Sequence, residues 1–198
     1  MTTGLTPQTF ENLQLDAGCF VANVALSAIK TVQEVKAALA SAVSDPAKWL
    51  GATRGGGTFT CVPTIRSIEA DGKRSEFVGS TLNDGWTVKL ATTLLEATPE
   101  NFKRALMTAD ATTNGNVTVI KPRTAIKDED YITTLAWVGD TAYGLTVIEL
   151  DNALNLAGAT FAFTDKGEGT IPVEFTAHQA SLENQEYAPC RVYVLENA

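Results

Sequence analysis

"GATRGGGTFTCVPTI", Gly51 to Ile65, sets three consecutive glycines beside an arginine and then alternates. A phosphate-cradling loop needs its glycines at the start of a helix, closed by Gly-Lys-Ser or Gly-Lys-Thr. Here Phe59, Cys61, Pro63 and Ile65 alternate with Thr58, Thr60, Val62 and Thr64, which is the period of a strand. No Lys-Ser or Lys-Thr follows. The glycines are therefore expected to give a sharp turn or close backbone packing at the entrance to a long strand from Thr58 to Glu69.

Outward from this strand the chain keeps reading as β. Gly85 to Glu96 alternates Trp86, Val88 and Leu90 with Thr87, Lys89 and Ala91. "LQLDAGCFVANV", "NVTVI", "YITTLAWVG", "YGLTVIEL", "ATFAF", "TIPVEFTA" and "RVYVL" are also strand-like, punctuated by Gly-Asp, Asp-Lys-Gly and Asn-rich turns. Two helices interrupt them. Thr31 with Glu34 makes a capping box before Val32, Val35, Leu39 and Ala42 at helical spacing, and the helix ends near Asp45-Pro46. Thr98 caps a second helix with Pro99 at its first position and Phe102 and Leu106 one turn apart. The expectation is a mainly β domain, a sandwich or barrel, with one or two flanking helices.

Composition narrows the function. The 198 residues are 44% hydrophobic, enough for one sizeable core, so a single domain spanning 1–198 is the default. Charged residues are only 19% and the net charge is −8, which excludes a general electrostatic grip on nucleic acid. No basic region precedes an apolar core at the N-terminus, and no stretch approaches the length of a membrane span, so a soluble cytoplasmic chain is expected. Cys19, Cys61 and Cys190 are odd in number and lack metal-ligand spacing; they read as buried free thiols.

Catalytic patterns are scarce. The single histidine, His178, stands near Ser181 but without a nucleophile elbow, and reads as a structural strand-end residue. Asp128, Glu129 and Asp130 lack the spaced ligands and glycine of a calcium loop and read as a solvated strand entrance. Asp165 and Glu168 flank a turn. Asn116-Val-Thr118 fits a glycosylation acceptor, which carries meaning only in a secreted chain.

Two features remain. The first is "ADGKRSEFVGSTLND", Ala70 to Asp84, far longer than a hairpin closure; it is either an arm acting outside its own fold, through Asp71, Gly72, Lys73, Arg74, Glu76 and Phe77, or a surface loop. The second is a pattern of faces. Thr58, Thr60, Thr64, Thr87, Thr93, Thr170 and Thr176 share strand faces that are nearly uncharged, while Phe59, Ile65, Trp86, Val88, Leu90, Ile171, Val173 and Phe175 take the opposite ones. Such a polar face suits water, and equally suits a water-filled conduit.

The stretches "LQLDAGCF", "LGATRGGGTFTCVPTIRSIEADGKR", "ATTLLEATPENFKRAL" and "ALNLAGATFAFTDKGEGTIPVEFTAHQ" together resemble the major tail, or tail tube, proteins of long-tailed bacteriophages. The resemblance follows family order over most of the chain. It implies a β-sandwich whose inner sheets join, six copies to a ring, into a closed barrel, with rings stacked into a tube that conducts DNA. About residues 1–15 read as an N-terminal arm and about 70–84 as a hairpin arm, while the helical stretch of about 31–49 looks like an insertion on the family pattern. Thr58, Thr60, Thr87, Thr170, Glu174 and Thr176 would line the lumen. The implied partners are further copies, a tape measure protein and terminator and tip proteins. No cofactor, metal or catalysis is implied, and the setting is a virion assembled in the bacterial cytoplasm. An inner tube of a contractile tail or tail-like injection device shares the same pattern. From another class, a carbohydrate-binding or hydrolytic β-sandwich stays open, although Trp49, Trp86 and Trp137 are scattered and not clustered for a groove.

Overall fold

A computed structural model describes residues 9, 13, 16–26, 28–142, 144–163, 165–183 and 185–196. The arm expected at about 1–15 lies outside these apart from Thr9 and Leu13. The protein is mainly β, with antiparallel sheets and two α-helices among the described residues.

One sheet runs in the order β9 (Cys190–Glu196), β7 (Gly144–Asn155), β6 (Ile132–Thr141) and β1 (Cys19–Ala22). The other runs β2 (Thr53–Ser67), β3 (Thr81–Leu94) and β8 (Ile171–Thr176). The end of β7 crosses to this second sheet, where Leu154 pairs with Thr176 and Asn155 with Phe175. Asn152, just before the crossing, takes φ +45°, a left-handed conformation that asparagine accepts more readily than most residues.

Alternation along the strands decides where the core lies. Leu135 and Leu150 from the first sheet meet Val88, Leu90, Leu94, Ile171, Val173 and Phe175 from the second, with Phe20 of β1 among them. Each such buried side chain stabilises by roughly 1.5–3 kcal/mol. Helix α1 (Val32–Ala42) covers the far side of the first sheet: Val32, Val35 and Ala42 pack on Val21, Ala136, Val138, Leu145 and Val147. Its expected capping box is present, with Thr31 Oγ1 accepting from Glu34 N at 3.3 Å and the Glu34 carboxylate accepting from Thr31 N at 3.3 Å.

Helix α2 (Pro99–Ala105) starts as expected at Thr98 and closes one end of the layers. Phe102 stacks on Phe161 with ring centroids 4.7 Å apart. Asn101, 1% exposed, donates from Nδ2 to the carbonyls of Leu50 and Glu96 at 2.9 and 3.0 Å. A separate ribbon, β4 (Ala109–Asn114) with β5 (Val117–Pro122), follows it.

Several sequence expectations need correction. β2 begins at Thr53, so the three glycines lie inside the strand. β3 begins at Thr81, so Thr81 to Asp84 belong to the strand and not to the arm. "ATFAF" forms no strand and contributes one bridge, Ala162 to Thr170, because Phe161 is drawn onto Phe102. Gly139-Asp140 lies within β6, paired with Thr146 and Leu145. Asp128–Asp130 is a single 3-10 turn whose last carboxylate is not solvated: the Asp130 side chain is 1% exposed and grips Arg123 at 2.5 Å.

Candidate functional site

With α1 on the first sheet and the core between the sheets, the outer face of β2, β3 and β8 is left without a helix packed on it. Register builds it. Thr58 lies opposite Ala91, Thr60 opposite Lys89 and Val62 opposite Thr87. Across the next ladder Lys89 faces Thr176, Ala91 faces Glu174 and Thr93 faces Pro172. Thr58, Thr60, Thr87, Glu174 and Thr176 thus come together on one face, and Thr170 has the same parity just before β8. The opposite parity, Val88, Leu90, Val173 and Phe175, is buried.

The charges on this face cancel locally. Lys89 Nζ lies 2.7 Å from Glu174 Oε1, and both groups keep about two-fifths of their side-chain surface in solvent, at 38% and 41%. Half-exposed pairs of this kind contribute little to stability. Their effect here is on the field: a passing anion meets a cation already countered. At the margin, Arg54 pairs in the same way with Glu168 at 2.5 Å.

The glycine run shapes the top of the face. Gly55 and Gly56 take φ +73° and +69°, at a register shift between Thr53 and Gly57, so the strand bulges. A Cβ on Gly57 would stand 2.6 Å from Phe20 Cζ and 2.8 Å from the Ala91 carbonyl. Thr92 Oγ1 donates to the Gly56 carbonyl at 2.7 Å and pins the bulge. Beside it the outer face holds an open groove of about 380 Å³ bordered by Arg54, Thr58, Thr93, Gly158, Thr160 and Glu174. The glycines serve a bulge, not a strand entrance, because β3 offers a partner as far back as Leu94 for Thr53.

The β2–β3 hairpin runs on beyond the sheet. β8 accompanies β3 only from Lys89 to Leu94, whereas β2 and β3 stay paired out to Ser67 and Thr81. The outer ribbon is therefore two-stranded and open on both faces. Val62, Ile65, Leu82 and Trp86 are 51%, 56%, 39% and 41% exposed. Ile65 and Trp86 were expected on the core side; they have the right chemistry but lie past the end of the core, and a register shift separates Thr64 from Ile65.

The connection from 68 to 80 is tied together. Lys73 N donates to the Ala70 carbonyl at 3.0 Å around a turn containing Asp71 and Gly72, with Gly72 at φ +88°. Lys73 Nζ then donates to Ser67 Oγ, the Ile68 carbonyl and Glu76 Oε2 at 2.6, 2.9 and 2.9 Å. Ser80 Oγ donates to the same Glu76 oxygen at 2.7 Å. Arg74 has no charged partner among the described residues, and Phe77 is 64% exposed. The excess length was legible in the sequence, but nothing in it announced this cross-linking.

Lys73 first, then Ser80 and Ser67, hold the Glu76 carboxyl at about 2, below the ordinary 4.5. Because the pKa is lowered on folding, the tie is complete above about pH 4.5 and is lost as pH falls through about 2. A carboxyl-detected NMR titration should find this midpoint, and Lys73→Ala should return it toward the ordinary value. An unchanged midpoint in that variant would remove Lys73 as the main cause.

The other candidates stay apart from this face. His178 Nδ1 is 3.1 Å from the Asn152 carbonyl, and its ring meets Tyr131 edge-on at 5.2 Å. Cys19, Cys61 and Cys190 are free and lie on β1, β2 and β9; all are partly, not fully, buried. Burial pushes the Cys19 and Cys190 thiols up to about 11, so both are poor nucleophiles at neutral pH. Among the described residues no group of three His, Cys, Asp or Glu is placed to hold a metal, and no helix is long and apolar enough to cross a membrane.

No protein-family model matches the chain, and no curated protein matches it at a significant level.

Proposed function

We propose that this chain is the major tail tube subunit of a long-tailed bacteriophage, a structural protein with no catalytic role. The observation that carries the reading is the arrangement of layers. One sheet is covered by α1, while the other leaves bare a face of threonines whose lysine and glutamate neutralise each other.

On this reading the two sheets form a β-sandwich, and the second sheet is the inner one. Six copies join their inner sheets edge to edge into a barrel, which gives the exposed edge of β2 a partner. Thr58, Thr60, Thr87, Thr170, Glu174 and Thr176 then line the lumen. DNA slides because its phosphates find no free cation to exchange for their counterions. The hairpin bridges subunits or rings, and a tape measure protein with terminator and tip proteins sets the ends. The protein works in the virion after assembly in the host cytoplasm.

Electron microscopy of the purified protein at rising concentration tests this. Six-fold rings and hollow tubes are expected. A protein that stays monomeric at every concentration, in solution and on grids, would sink the reading.

A further inference from the structure

The ties at the hairpin tip engage Lys73, Glu76 and Ser80 and leave the apolar side chains in solvent. Phe77 is 64% exposed and Val78 wholly so. They sit on a turn closed by Ser80, whose Oγ accepts from Phe77 N at 3.1 Å and whose N donates to the Phe77 carbonyl at 3.0 Å, with Gly79 at φ +89°. Two apolar side chains are thus held outward on a pre-formed turn.

The opposite end of β2 has the converse shape. There the two sheets part around a cavity of about 540 Å³ lined by Phe20, Phe59, Leu90, Trp137 and Ile148, with Asp16 at its mouth. Its wall is fixed: Trp137 Nε1 donates to the Ala17 carbonyl at 2.9 Å. The cavity is open, its apolar side chains are joined in the wall by Thr53 and the backbone of Gly55 to Gly57, and nothing among the described side chains fills it.

Resting on the tube reading, we propose that Phe77 and Val78 of one copy insert into this cavity of a second copy. Apolar surface removed from water on both sides drives the contact. Geometry makes the occupant another molecule. From Gly57 at the cavity to Ser67 at the hairpin is ten residues of strand, on the order of 33 Å, so a tip cannot reach its own cavity. A projection at one end of a strand and its receptor at the other make a heterologous contact, which repeats head to tail without closing. That is the growth rule of a stacked tube, and it assigns the hairpin a specific receptor.

The test places a photo-reactive benzophenone amino acid at Phe77 and mixes a small fraction of that protein into assembling wild type. Expected are crosslinks between copies that map to the peptides carrying Asp16–Phe20, Phe59 or Trp137. Separately, Phe77→Asp, a change at an exposed position that leaves the monomer folded, should raise the critical concentration for assembly at least about tenfold. Tubes whose crosslinks map elsewhere, the N-terminal segment included, or a Phe77→Asp protein that assembles like wild type, overturn the proposed receptor and leave the tube reading standing. A wild-type protein that never assembles overturns both.

Discussion

Replacing Ile68 to Ser80 with Asn-Gly should yield a folded monomer that no longer polymerises. Ser67 and Thr81 are already paired, and a two-residue turn of this type suits the twist of an antiparallel ribbon. The excised residues contribute no side chain to either core cluster. Thermal unfolding should therefore stay within a few degrees of wild type. Assembly, followed by light scattering and microscopy, should be lost altogether, because the deletion removes both the cross-linked tip and its apolar residues. Normal tubes from the shortened chain would take the hairpin out of assembly.

On the tube reading, the second large effect concerns passage of DNA. Thr60→Lys, Thr176→Lys and Glu174→Gln each place an uncountered cation on the bare face, the last by stripping Lys89 of its partner. These positions are exposed or half-exposed, so folding should cost no more than about 0.5 kcal/mol. Tubes should still form. Inside a confined bore with low-dielectric walls, each ring would then present several cations within a few ångströms of the phosphates. Genome release should slow at least about tenfold at low salt and recover as salt rises, since counterion exchange governs the grip. Equal release at all salt concentrations would end the account of low friction by charge cancellation. Cysteines placed singly at Thr58, Thr60, Thr87, Thr170, Glu174 and Thr176, in a background without the native ones, provide the placement check. A bulky thiol reagent should reach them in monomers and not in tubes.

What could be read from the sequence depended on how local each signal is. Both helices were legible because their caps are local: Thr31 with Glu34, and Thr98 with Pro99, name their own positions. Parity was legible too, so the polar residues of β2, β3 and β8 could be assigned to one side of each strand. Their union into a single face was not, because register across strands 85 residues apart, as for Lys89 and Glu174, is a tertiary property. Strand ends failed for the same reason. "TLND" reads as loop, yet Thr81 to Asn83 are held in the ladder by Ile65 to Ser67. β4, "ADATTN", has no apolar alternation and is templated by β5. Burial of polar groups was invisible as well: Asn101 and Asp130 look like surface residues until Leu50, Glu96 and Arg123 come to meet them.

β7 has a mechanical consequence. One continuous backbone serves as a central strand of the first sheet and then crosses to pair with β8 of the second, turning at Asn152. The two layers are therefore joined by covalent bonds as well as by the contact of their side chains. Shear between them must stretch a peptide chain or tear its ladder, which costs far more than sliding one greasy surface over another. A wall built from such units would behave as a laminate stitched through its thickness. Load arriving at the helix-covered layer would pass along β7 to the threonine layer with little slip, and the bore would hold its shape while the wall around it bends.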